Sequence, residues 1–210
     1  MLTKRKFFQG MLVATAALAV LFQPVAYAAE TKEQAALAMV KNIGDEAVAT
    51  LADTSLSDEQ KQDRFEKFLD SSFDMNRIGR FVLGQYWREA SETEQSEFLK
   101  VFRDYMVTSY ADKIGSYSGE NLEIKDATSL NDKESLVHSL ITRPNGPPIK
   151  LDWRVRSTDQ GAKIVDVIIE GISMAQTHRS EFASVVSQPG VGVEGLINKL
   201  KEQIKTASNK

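Results

Sequence analysis

The chain has 210 residues, 26 of them Lys or Arg and 29 Asp or Glu, for a net charge of −3, and it contains no cysteine. Thiol catalysis, thiolate zinc sites and iron–sulfur clusters are therefore excluded, and so is any disulfide. The mild acidity argues against nucleic acid, because phosphate binding calls for clustered Lys and Arg.

Lys4, Arg5 and Lys6 form a basic start. Met11 to Phe22 is an apolar run of 12 residues broken only by Thr15, and Ala26-Tyr27-Ala28 follows as a small-x-small site. This order predicts a cleaved secretory signal peptide over residues 1–28. The run is too short for a membrane-spanning helix, which needs about 20 residues. The leader takes three of the 26 basic residues and none of the 29 acids, so residues 29–210 carry −6. That length suffices for a single domain with a sizeable core. The acidity also argues against a permanent seat on anionic lipid.

Residues 32–52 are predicted as a helix. Ser57-x-x-Gln60 is a capping box that opens a second helix, with Phe65, Phe68 and Leu69 on one face. Asp74 caps a short third helix ending at Gly84. Tyr86 and Trp87 follow it as aromatic anchors, suited to packing or to a half-wet rim. Ser91-x-x-Glu94 opens a long helix to about Ile114, whose wide apolar face carries Phe98, Val101, Phe102, Tyr105, Met106 and Tyr110.

The period then changes from helical to two. Leu122 and Ile124 mark a first strand, and Ser135 to Thr142 a second. Pro144-Asn145-Gly146-Pro147 makes a turn. Ile149, Leu151, Trp153 and Val155 alternate with Lys150, Asp152, Arg154 and Arg156, a half-buried strand. Asp159-Gln160-Gly161 turns the chain into a nearly continuous apolar strand, Ile164 to Ile169, broken by Asp166. Ser173 caps a helix through Val186, and Leu196, Leu200 and Ile204 mark a final one. Helices gathered on a four-stranded antiparallel meander make an α+β domain.

Few residues suggest chemistry. His138 and His178 lie on different predicted elements without metal-like spacing, so no metal is expected. His178 reads as a helix-surface residue. His138 and Asp166 both fall on strands, where they fit an acid–base pair or a plain polar bridge. Arg143, Lys150, Arg154 and Arg156 fit a solvated sheet face, a headgroup contact or a partner contact.

Two blocks carry a resemblance. One is Gly79 to Tyr110, with Val82-Leu83-Gly84-Gln85-Tyr86-Trp87 and the aromatic helix. The other is Pro147 to Phe182, with Pro147-Pro148-Ile149-Lys150-Leu151-Asp152-Trp153 and Glu170-Gly171-Ile172-Ser173-Met174. Their order, together with the Asn145-Gly146 turn and the leader, resembles the MlaC family of periplasmic phospholipid-binding proteins, also called the toluene-tolerance auxiliary family. The resemblance covers most of residues 29–210. It implies a cone-shaped, NTF2-like fold with an apolar lipid pocket.

It also implies a periplasmic carrier that holds phospholipid as cargo, with no cofactor and no catalytic residue. The implied partners are an outer-membrane lipoprotein–porin complex and an inner-membrane ABC transporter with an MCE subunit. A monomer is expected. A hopanoid-associated carrier of the same family, an NTF2-like enzyme acting on a small apolar substrate, and a structural adaptor remain as alternatives. Under the resemblance the candidate pocket residues are Val82, Tyr86, Phe98, Phe102, Tyr105, Met106, Tyr110, Leu151, Trp153, Val155, Val167, Ile169 and Met174. Spacing alone fits ordinary core packing for all of them.

Overall fold

The computed structural model of the chain describes residues 31–114 and 117–207, the side chains of 111–114 excepted. The predicted leader lies outside the described residues.

Capping side chains set the helix starts. Helix α1 spans Lys32–Ala52 and opens on a capping box between Thr31 and Gln34. Helix α2 spans Asp58–Ser72 and opens on the box between Ser57 and Gln60. Such caps satisfy backbone N–H groups that the first turn leaves without partners. Asp74 accepts from the Arg77 N–H at the head of α3, Met75–Leu83. That helix stops at Gly84, whose φ of 61° suits a residue without a Cβ. A single turn, α4, covers Tyr86–Glu89. Ser91 and Glu94 cap each other reciprocally at the start of α5, Glu92–Ile114. Helices α3 and α5 pack closely at Gly79, where an added Cβ would lie 2.4 Å from the Leu99 side chain.

The sheet is antiparallel and runs in chain order: β1 Asn121–Asn131, β2 Glu134–Thr142, β3 Ile149–Thr158, β4 Gly161–Ile169 and β5 Ile172–Ser173. It thus has five strands where the sequence suggests four. The extra strand is two residues long and comes from the tight turn at Glu170-Gly171. Both turn residues have positive φ, 50° and 81°, as a two-residue hairpin of type I′ requires. Glu170 holds this turn against β3. Its N–H donates to the Lys150 carbonyl, and its side chain accepts from the Lys150 N–H. Helix α6, Met174–Val186, follows with Ser173 as its cap, and α7 spans Gly192–Ala207.

The register puts Val137, Leu151, Trp153, Val155, Ile164, Val167 and Ile169 on one face of the sheet, toward the helices. The other face is polar but less open than simple alternation suggests. Asp152 is only 4% exposed, between His138 and Lys150. Glu134 is buried under Arg154 and Arg156 at 2.8 and 2.6 Å. Burial opposes its ionisation, yet the two arginine hydrogen bonds win and hold the carboxyl below its usual range. Three of the four basic residues of this region are therefore engaged with acids, and Arg143 donates to the Pro147 carbonyl.

Two buried clusters form, where a single domain usually has one. A helical cluster joins α3, α5, α6 and α7 through Val82, Phe98, Phe102, Phe182, Leu196 and Leu200, among others. A second cluster sets Ala36, Val40 and Ile43 of α1 against Val137, Val155 and Ile164.

Candidate functional site

Helix α1 covers only part of the inner sheet face, the part around Val137, Val155 and Ile164. Leu151, Trp153, Val167 and Ile169 remain beside an apolar cavity of about 240 Å³. Its opposite wall is α5, through Phe102, Met106 and Tyr110. Spacings of four put these three on one row of the helix. Helix α2 contributes Phe65, Phe68 and Leu69. Phe73, Met75 and Ile78 come from the start of α3, and Met174, Ala175 and His178 from α6.

A second chamber, also about 240 Å³, adjoins the first. The two share Phe65, Phe68, Tyr110 and Trp153. Phe65 stands 6.1 Å from Phe68 and 6.4 Å from Tyr110, ring centre to ring centre. The remaining wall of the second chamber is formed by Glu46, Ala47, Thr50 and Leu51 of α1 with Lys61 and Arg64 of α2.

Two polar side chains that border the first chamber, Trp153 and Asp166, have hydrogen-bond partners. Trp153 donates its indole N–H to the Ser139 hydroxyl at 3.0 Å, and Ser139 donates to the Leu151 carbonyl at 2.5 Å. This chain fixes the indole plane across the sheet. Burial raises the Tyr110 phenol above its usual value, and Tyr105 adds to the shift, so it stays protonated at neutral pH. Asp166 accepts from the Ser173 hydroxyl and the Ala175 N–H at 2.5 and 3.0 Å. It holds the head of α6 against β4.

Eight of the thirteen candidate pocket residues meet at this cavity: Phe102, Met106, Tyr110, Leu151, Trp153, Val167, Ile169 and Met174. The other five sit elsewhere. Val82 and Phe98 are interior members of the helical cluster, and Tyr86 and Tyr105 pack against it. The broad face of α5 is divided, one side meeting α6 and α7 and the other facing the cavity and α2. Val155 lies beneath α1. The wall residues of α2 belong to the apolar face noted in the sequence but were absent from the candidates. Their signal is the grouping of Phe65, Phe68 and Leu69 on an otherwise highly polar helix.

His138 and Asp166 do not meet. His138 stands opposite Asp152, 3.1 Å from its carboxylate, whereas Asp166 stands opposite Arg154. His178 is not a plain surface residue. Its ring lies among Phe102, Tyr105 and Phe182, with Nδ1 3.3 Å from the Glu181 carboxylate. The turn of α6 that follows Met174 carries it there. Among the described residues no group of three or more His, Asp or Glu is placed to hold a metal ion. No helix among them is long and apolar enough to cross a membrane.

Comparison with known proteins gives four findings. The family model described as "MlaC protein" matches residues 41–202. The chain is 26% identical over 128 residues to the intermembrane phospholipid transport system binding protein MlaC of Haemophilus influenzae, spanning 59% of either chain. It is 20% identical over 137 residues to toluene tolerance protein ttg2D of Pseudomonas putida, spanning 65% of this chain and 64% of that one. The chain thus spans less than two thirds of the length of each curated relative. A solved structure of a phospholipid-binding protein from Ralstonia solanacearum, in complex with a phospholipid, superposes with a TM-score of 0.72. That match has 26% identity and covers 82% of this chain and 98% of the other.

Proposed function

The chain belongs to the MlaC family, and from that premise we propose that it is a periplasmic phospholipid carrier and not an enzyme. The observation that carries this reading is the apolar cavity between the sheet and α5, continued by a second chamber past four shared aromatic residues. Exposure to water costs about 0.8 kcal/mol per CH₂, so a tail of about sixteen carbons costs on the order of 12 kcal/mol. A cavity of this lining removes that cost during transit. Holding lipid about as firmly as a bilayer does lets the same protein load and unload. Neither step calls for a catalytic group.

In this reading residues 1–28 are a leader and 29–210 one lipid-binding domain. The cargo contacts are the eight cavity residues from the sequence set together with Phe65 and Phe68. Lipid passes between an outer-membrane lipoprotein–porin complex and an inner-membrane ABC transporter with an MCE subunit. Protein purified from periplasmic extract tests the proposal. Its N-terminus should read Ala29-Glu30-Thr31, and native mass spectrometry should find the chain with added phospholipid mass. Empty protein, or uncut protein in the membrane fraction, sinks it.

A further inference from the structure

Helix α3 buries Ile78, Val82 and Leu83 and leaves Asn76, Arg77, Arg80 and Phe81 exposed. These four form one wall of a groove of about 590 Å³, with Glu134, Arg154 and Asp166 of the sheet across from them. Ile78, Asp166 and Ala175 border both this groove and the first apolar chamber, so the groove backs onto the chamber wall. Its carboxylates already have partners. Asp74 caps α3 and pairs with Arg77, Glu134 takes Arg154 and Arg156, and Asp166 accepts from Ser173 and Ala175. Arg80 has no such partner. Among the described residues no hydrogen bond or ion pair engages it, and its guanidinium lies 5.1 Å above the Trp87 ring. A π contact orients a guanidinium without cancelling its charge. Phe81 beside it is 43% exposed. It is held there by Arg179, which donates to the Phe81 carbonyl at 2.8 Å and lies 5.0 Å over the ring.

We propose that the rim formed by Arg80 and Phe81 is a docking site for an acidic segment of a protein partner. Arg80 supplies a charge that nothing in the chain neutralises, and Phe81 supplies an apolar anchor. Arginine and aromatic residues are the usual anchors of protein interfaces. Both are fixed in advance, which lowers the ordering cost of association. The partner's acidity follows from α3 itself, which holds two arginines and no acid between Met75 and Leu83 in a chain of net charge −3. An anionic bilayer fits the site less well. It is flat where the groove is concave, and the net charge of the chain opposes it. A segment docked here lies outside the chamber wall, so a partner can hold the protein without entering the apolar cavity.

The test places the photocrosslinker p-benzoylphenylalanine at position 81 of the whole chain in cells of the native host. After irradiation, the crosslinked peptide is sequenced by mass spectrometry. It should come from another protein and carry more Asp and Glu than Lys and Arg. Adding Arg80→Glu should lower the yield of that product about tenfold, and Arg80→Lys should keep most of it. The same crosslinker at Leu130, which is also exposed, should not give it. Because Arg80 is exposed, Arg80→Glu should melt as wild type does and carry the same bound lipid. The absence of a product at position 81 overturns the proposal, and so does a product with a basic segment or with a second copy of the chain. Crosslinking to phospholipid alone would mark a membrane surface and overturns it too. A loss of bound lipid in Arg80→Glu would assign the groove to the cargo instead. A wild-type chain without lipid rejects the carrier reading and leaves the docking result to stand or fall on its own.

Discussion

Met106 and Val155 look alike in the sequence, each an apolar residue on a face turned inward. The structure gives them different surroundings. Met106 is partly buried and borders the cavity, so a longer polar side chain has space to occupy. Val155 is 2% exposed beneath α1, with no such space. A charge there is stranded without a partner. Met106→Arg should therefore fold, with normal circular dichroism, and lose co-purified phospholipid. Val155→Arg should lose more than about 3 kcal/mol of stability. Urea melts and lipid analysis on the same preparations decide. A folded Met106→Arg protein with its full lipid load would move the cargo elsewhere. The distinction is invisible to spacing, because alternation along β3 says which face a residue takes and not which helix covers it.

At the scale of elements, the caps at Thr31, Ser57, Asp74, Ser91 and Ser173 all stand where the sequence suggests starts, because a cap is a local pattern. Local patterns did not reveal how α2 is used. One face of α2 lines both chambers. Its other side is gripped by Arg103 of α5, whose guanidinium takes both Asp70 oxygens at 2.9 and 2.8 Å and reaches Glu66 at 3.3 Å. Because α2 walls both chambers, its outward movement would widen them together and open a path for a two-tailed lipid. Arg103→Met should release that grip and speed lipid transfer to acceptor vesicles, while costing about 1 kcal/mol because Asp70 is exposed and Arg103 only half-buried. The Arg103 hydrogen bonds hold the Asp70 carboxyl below its ordinary 3.8. The stabilisation is thus complete above that value and is lost as pH falls through the lower folded one. Wild-type and variant transfer rates should converge in acid and separate at pH 7. Equal rates at pH 7 would show that Arg103 does not restrain α2.

For the whole molecule, the α+β class and the antiparallel meander follow from a visible change of period. The cavity does not, because it arises where two clusters fail to merge. Ile78, Phe102 and Ala175 belong to the helical cluster, Phe68, Trp153 and Val167 pack against the sheet cluster, Phe73 packs against both, and all seven border the gap. In the carrier reading, cargo in that gap is a missing piece of core, supplied from outside the chain. Loading should then change how cooperatively the protein opens, beyond making it more stable. In the lipid-filled protein, amides of α1 with β3 and of α5 with α7 should exchange their hydrogens with one common protection. In delipidated protein the two groups should separate, each with its own opening free energy. Hydrogen–deuterium exchange followed by mass spectrometry resolves the two cases, and a single protection level in the empty protein would mean that the halves hold together without their passenger.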